Sequence, residues 1–256
     1  MKRLLIRAAV LCGLLLLAAA APADVLHVAS SGGFAAAYKA LAPLYEQQTG
    51  EALILVRGPS MGETPQAIPA RLARGEPIDA VIMVGYALDE LIRQGKVIPG
   101  SRVDLARSGI GIVVRAGAPH PDIGSVEALK QALLAAKSIA YSDSASGVYI
   151  RDEMFRKLGI ADQVAGKARM IPAEPVGAVV ARGEAEIGFQ QISELKPIGG
   201  IDLVGPLPRE LQVYTVFTGG VVSASRKQEQ AAALLRFFAS AEAAKAVVES
   251  GMEPMP

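Results

Sequence analysis

Strand-length apolar runs alternate with longer segments of helical spacing along most of the sequence, and this rhythm restricts the fold more than any other feature. Val25 to Ala29 reads as a strand, after which Phe34, Ala37, Leu41 and Leu44 recur at helical spacing until Thr49-Gly50 stops the pattern. A second strand is expected over Leu53 to Val56, a helix from about Pro65 to Arg74, and a third strand over Asp79 to Val84, bounded by Gly75 and Gly85. Strands that alternate with helices imply parallel crossovers, and so an α/β sheet with helices on both faces.

The rhythm breaks at Gly109 to Arg115, a longer strand after the polar stretch Ser101 to Ser108, and then resumes. Helix 125–136, strand 138–142, helix 147–158, strand 168–172, helix 175–182 and strand 186–191 follow. Tyr214 to Val222 is a β-branched, glycine-containing strand, and two helices over 227–238 and 241–249 come after it. The expected architecture has two lobes, 24–107 with 214–256 and 108–213, and the long strands near 110 and 216 cross between them.

The first residues read as an export signal. Lys2, Arg3 and Arg7 form a positive zone, Ala8 to Ala20 an apolar run too short and alanine-rich for a membrane span, and Ala21 and Ala23 the small residues at a cleavage site. The cut is expected after Ala23, leaving a periplasmic chain that starts at Asp24. Cys12 is the one cysteine and lies inside the leader, so the mature chain has no disulfide to rely on. With 51% hydrophobic residues over its full 256, the sequence has ample material for a core held by packing alone.

Charge and motif content remove several function classes. The 26 basic and 25 acidic residues leave a net charge of +1, without the basic stripe that nucleic-acid binding needs. After the leader no run is long and apolar enough to span a membrane. A secreted phosphatase would need a constellation of metal ligands, which is absent. The two histidines, His27 in the first strand and His120 in a loop, form no cluster.

Serines recur where strands pass into helices. Ser30 and Ser31 follow the first strand, Ser60 the second, and Ser144 and Ser146 the strand 138–142. Free N–H groups at a helix start, with the positive end of its dipole, favour an anion, and hydroxyls there can donate to its oxygens. A serine at such a place also serves as an ordinary helix cap. Placed at strand ends in both lobes, the set points to the crevice where open α/β sheets bind ligands.

The order of several short motifs carries a family resemblance. Ala29-Ser30-Ser31, Tyr45-Glu46-Gln47-Gln48-Thr49-Gly50, Gly58-Pro59-Ser60-Met61-Gly62 and Pro77-Ile78-Asp79-Ala80-Val81 resemble the molybdate-binding protein family of ABC transporters. So do Ser108-Gly109-Ile110-Gly111-Ile112-Val113-Val114 and Gly183-Glu184-Ala185-Glu186-Ile187-Gly188. The resemblance implies a type 2 periplasmic binding fold, a monomer with a hinged cleft that holds a small anion between Ser30, Ser31, Ser60, Met61, Ser144 and Ser146. It also implies a transporter permease as the partner of members that act as receptors.

Members that hold molybdate are expected to present a tyrosine after the strand that matches 186–191, where this sequence has Gln190-Gln191-Ile192-Ser193. Arg57 stands beside the second loop and Arg151 early in the helix after Ser146. Guanidinium forks suit planar carboxylates better than a tetrahedral oxyanion held by neutral donors.

A branch of the family supplies the alternative. Leu105-Ala106-Arg107-Ser108-Gly109-Ile110-Gly111, Arg115-Ala116-Gly117-Ala118-Pro119 and the Gln190-Gln191 pair are similar to the aconitate isomerase branch. That likeness implies a proton shift along an allylic system of a tricarboxylate, with no metal and no redox cofactor. Such a shift needs a base and donors for the enolate-like charge. Glu63 after the Ser60 loop and Glu174 before the helix at 175 are the candidate bases, although a carboxylate at either place also suits a solvated helix start.

Overall fold

The computed structural model describes residues 25–172 and 174–255; the expected leader and its cut after Ala23 lie outside them. From the amino end the elements are β1 (Val25–Ser30), α1 (Ala35–Thr49) entered through a 3-10 turn at Gly32–Phe34, β2 (Ala52–Arg57), α2 (Ile68–Ala73), β3 (Ala80–Val84), α3 (Gly85–Arg93) and β4 (Val103–Arg115). Then come α4 (Val126–Ala135), β5 (Ile139–Ser142), α5 (Ala145–Tyr149), a π-helical turn at Ile150–Met154, α6 (Phe155–Lys157), α7 (Ala161–Val164), β6 (Ala168–Ile171), α8 (Val176–Ala181), β7 (Ile187–Gln191) and α9 (Ile192–Leu195). The chain ends with β8 (Ile201–Pro206), β9 (Tyr214–Val221), α10 (Gln228–Phe238), α11 (Ala244–Glu249) and β10 (Glu253–Pro254).

The strands are hydrogen-bonded in the order β2-β1-β3-β9-β4-β7-β5-β6. The trio β2-β1-β3 is parallel, as is the trio β7-β5-β6, and both feed the antiparallel strands between them. β4 joins the halves: its residues 103–109 pair with β9, and Ile110–Val113 pair with β7. β3 is buried along its whole length because both faces are covered, which is why Ala80–Val84 has no polar alternation.

One core contains residues 26–106 and 217–252, among them Leu26, Leu41, Ile82, Leu105, Leu234 and Phe238. A second gathers Ile110, Ile112, Leu129, Ile139, Phe155 and Phe189 from the other half, and a third Val113, Val176 and Val180 on that half's opposite face. In the first core the Phe238 ring packs 5.9 Å from Phe34 and 5.6 Å edge-on from Tyr38. Phe34 ends the turn at Gly32–Phe34, so this aromatic contact pins the start of α1 to the carboxyl-terminal helices.

Most elements fall where the spacing predicts them, and the differences have local causes. α1 buries Tyr38, Leu41 and Tyr45, whereas Leu44, expected on the same face, is exposed. Gly50, at φ 75, ends α1 with its N–H on the Glu46 carbonyl, since a left-handed residue is needed there. Gly85 opens α3 instead of closing the region, and Ala87, Leu88 and Leu91 form the buried face of that unanticipated helix. β4 starts at Val103 rather than Gly109, because Leu105 and Ala106 bury while Arg107 faces water along β9. β8, flanked by glycines and proline, pairs with β4 through a register shift between Ile112 and Val113.

Candidate functional site

The carboxyl-terminal ends of β1, β2, β3, β5 and β7 open onto one cleft of about 580 Å³. β1 brings Ser31, Gly32 and Gly33 to it, β2 brings Arg57 to Gly62, β3 ends there at Val84, and β5 leads to Asp143, Ser144 and Ala145. Gln190 and Gln191 end β7, with Glu174 and Pro175 before α8, Glu194 on α9, and Thr215 and Phe217 of β9 completing the wall. This is the crevice at strand ends where open α/β sheets take their ligands.

Backbone bonds hold the loops in place. The N–H of Ser31 donates to the Ile82 carbonyl at 2.9 Å, and that of Gly58 to the Ser30 carbonyl at 3.2 Å, so the ends of the parallel strands are tied together. On the other side Gly147 lets α5 sit on the end of β5: a Cβ there would stand 1.6 Å from the Ser142 carbonyl oxygen. Gly32 permits an approach across the cleft, since its Cβ would lie 2.2 Å from Glu194 Oε1 and 3.8 Å from Arg57 Nη2.

The hydroxyls do not behave as caps. Ser31 and Ser144 precede helical turns without a side-chain cap bond, and the buried Ser31 Oγ has no hydrogen-bond partner at all. Ser60 Oγ accepts from the Val84 N–H at 3.0 Å, which leaves its proton available. Ser125, away from the cleft, is a true cap that accepts from the Ala128 N–H at 3.0 Å. A buried hydroxyl without a partner costs stability unless something else bonds it, and here it lies beside a cleft.

The predicted residues divide by position. Ser31, Arg57, Ser60, Met61, Ser144, Glu174, Gln190 and Gln191 line the cleft. Ser30 is wholly buried at the end of β1 and donates to the Ser31 carbonyl, and Ser146 is buried 3.0 Å from Ser142 Oγ, so neither reaches the wall. Arg151 is exposed and forked onto Asp152 at 2.6 and 2.7 Å, outside the cleft. Glu63 is exposed and also outside the lining, while Glu174 reaches the rim but is held by Arg182 at 2.6 Å, which keeps its carboxyl below the usual range. His27 lies against Asp79 and His120 against Asp202, neither at the cleft.

Residues 26–253 match the family model for bacterial extracellular solute-binding proteins. The chain belongs to that family. Among curated relatives of this solute-binding protein, one named aconitate isomerase, from a Pseudomonas species, is 54% identical over 240 residues, 94% of this chain and 92% of the relative. The molybdate-binding protein ModA of Azotobacter vinelandii is 27% identical over 223 residues, 82% of this chain and 85% of its own length. The solved structure of the Azotobacter vinelandii periplasmic molybdate-binding protein superposes with a TM-score of 0.71 at 20% identity, over 90% of this chain and 99% of that one. The two-lobed α/β fold and the family likeness expected from the motif order are therefore both shown.

Sequence reasoning passed over the most buried carboxyl of the cleft. Glu194 is partly buried on the first turn of α9, and burial lifts it from the ordinary 4.5 to about 7. A hydrogen bond from Gln190 and the charge of Arg57 oppose that rise, and Asp143 adds to it. Gln190 is itself fixed, because its Oε1 accepts from the Val176 N–H at 2.9 Å. Gln191 instead faces Thr215 Oγ1 at 2.7 Å; with its amide turned to accept there, its nitrogen donates to the Ser108 carbonyl at 2.9 Å. Its position, four residues after Gln190 in the first turn of a helix, is where an acid is favoured in any protein, so the sequence alone does not single it out.

Among the described residues, Arg57 is the one basic side chain on the cleft wall. No group of three or more His, Cys, Asp or Glu among them could hold a metal ion, and no helix there is long and apolar enough to cross a membrane.

Proposed function

We propose that this solute-binding protein takes a small tricarboxylate into the cleft and acts as an aconitate isomerase, interconverting the cis and trans forms by an allylic proton shift. The observation that carries it is the pairing of 54% identity to a protein of that name with a cleft whose one basic wall residue, among the described residues, is a guanidinium. A planar carboxylate takes two parallel bonds from such a fork. Ser31, Ser60, Ser144 and Gln190 are the donors for its other oxygens, Met61 and Gln191 shape the wall, and Glu174 stands at the rim.

We assign the lobes as 24–107 with 214–256 and 108–213, which is supported by the division of the buried residues into separate cores. A single chain carries the complete cleft, so the protein works as a monomer, closing on its ligand by rotation about the segments between the lobes. Export by a signal cut after Ala23 places it in the periplasm, in keeping with the extracellular family it belongs to. N-terminal sequencing of the exported chain is expected to begin at Asp24.

A receptor for an oxyanion, delivering molybdate to a transporter permease, is the second reading, favoured by the likeness to ModA. Incubating the purified protein with cis-aconitate and following the trans isomer separates the two. Turnover supports the isomerase; tight molybdate binding without turnover supports the receptor.

A further inference from the structure

We infer that Glu194 is the catalytic group that takes the substrate proton and returns it, and that Arg57, Gln190 and Gly32 are arranged to let it do so; the inference rests on the isomerase reading.

The argument begins with charge. A pocket that only captures a polyanion is weakened by every carboxylate inside it, because like charges repel and a buried charge needs partners. Glu194 is nonetheless aimed into the cleft from α9, across to the turn that starts α1 in the other half of the sheet. Gly32 accommodates it: any side chain there would meet the carboxyl oxygen. The Gln190 amide, anchored on the Val176 N–H at 2.9 Å, donates to the same carboxyl. Three separate segments are thus shaped around one carboxyl, which is the mark of a positioned reagent.

Its neighbours suit the task less well. Glu174 is clamped by Arg182 through bonds of 2.6 and 3.1 Å, and that ion pair lowers its basicity. Asp143 is exposed at the cleft mouth, where it acts on Glu194 by charge. A general base is most effective when its pKa lies near the working pH, and Glu194, at about 7, meets that condition while exchanging between acid and base forms.

The step balances without a co-reactant. Glu194 carboxylate removes a proton from the substrate methylene; the C–H bond breaks and its electron pair spreads over the three-carbon allylic system and the attached carboxylate. The Arg57 guanidinium and the Ser31 hydroxyl stabilise that added charge. The carbon at the far end of the allylic system then takes the proton back from Glu194, the double bond moves by one position, and the carboxylate is restored.

The test compares the exported protein with its Glu194→Gln, Asp143→Asn and Glu174→Gln variants, measuring turnover of cis-aconitate, calorimetric binding of aconitate, and melting temperature. Glu194→Gln is expected to lower kcat by about 10²–10⁴-fold while binding aconitate at least as tightly and melting no lower than the parent. Asp143→Asn and Glu174→Gln, both on the cleft wall, are each expected to lower kcat at least about tenfold less than Glu194→Gln does, and a substrate deuterated at the methylene to turn over more slowly with the parent protein. If the parent isomerises aconitate but Glu194→Gln keeps kcat within threefold, or if Asp143→Asn is the variant that abolishes turnover, the assignment of Glu194 is overturned and the isomerase reading stands. If the parent itself does not isomerise aconitate, the failure belongs to that reading.

Discussion

A Cβ on Gly32 would stand 2.2 Å from Oε1 of Glu194, so the turn at the start of α1 and the first turn of α9 meet through a glycine and a carboxyl. The obstructed atom is the end of a flexible side chain, and Gly32 has no left-handed backbone to preserve, so the clash is relieved by moving the carboxyl rather than the fold. Gly32→Ala is therefore expected to cost less than about 1 kcal/mol of stability, yet to lower turnover at least about tenfold. Thermal melts and steady-state kinetics on one preparation check this; a variant with unchanged kcat would mean that the place of the carboxyl does not matter.

The lifted pKa of Glu194 makes a prediction about stability with a definite sign. The unfolded carboxyl titrates near its ordinary 4.5 and the folded one near 7, so between those values the folded protein holds the extra proton. Stability consequently falls as pH rises through that window, and the cost is fully developed above pH 7, at most about 3 kcal/mol. Glu194→Gln removes it. The variant is expected to match the parent in urea denaturation at pH 4 and to exceed it at pH 8; an equal difference at both values would place the carboxyl in water. The charged and polar neighbours that set this balance are Arg57, Asp143 and Gln190.

Ser31 and Ser125 form a matched pair for separating ligand donors from helix caps. Ser31 Oγ is buried at the cleft without a partner, whereas Ser125 Oγ, outside the cleft lining, accepts from the Ala128 N–H at 3.0 Å. Ser31→Ala is expected to weaken aconitate binding by roughly tenfold or more and leave the melting temperature unchanged or raised. Ser125→Ala is expected to lose about 1 kcal/mol of stability with affinity intact. Calorimetry and melts on both variants decide it, and equal affinity of Ser31→Ala and parent would place the ligand elsewhere.

Strand ends were the legible part of the site. An apolar run that breaks into Ser30-Ser31, or into Gly58-Pro59-Ser60, announces both the end of a strand and a polar turn, so the wall formed by β1 and β2 could be found from spacing. Glu194 could not, because an acid in the first turn of a helix is what the dipole favours in any protein, and only the approach of Gly32 from the other half of the sheet distinguishes it. Ser146 shows the opposite error source. It stands two residues from Ser144 and both hydroxyls bond Ser142 Oγ, at 3.0 and 2.8 Å, but Ser146 is buried within α5 while Ser144, just before that helix, lines the cleft. In the fold, α3 and β8 have no counterpart among the expected elements: Gly85 bounds the third strand in the sequence although it begins a helix, and Ile201–Pro206, set among glycines and proline, pairs with β4.

Arg57 offers the sharpest discrimination between a carboxylate and an oxyanion. It ends β2 at the cleft, is exposed, and lies near the same point of the Gly32 turn as Glu194. A guanidinium binds a carboxylate through two parallel bonds, and an ammonium cannot copy that fork, so Arg57→Lys tests geometry at constant charge. Arg57→Lys is expected to weaken aconitate binding by about tenfold, and Arg57→Ala by more, since a bond to a charged group is worth about 1.5–3 kcal/mol. Because the side chain is exposed and belongs to none of the three cores, both variants are expected to melt within a few degrees of the parent, on the scale of about 0.5 kcal/mol. Molybdate, tetrahedral and served by hydroxyls and backbone N–H groups, has no equivalent need for the fork. If Arg57→Lys binds aconitate as the parent does while Arg57→Ala loses it, the residue supplies charge alone; if neither changes affinity, the carboxylate is held by other donors of the cleft.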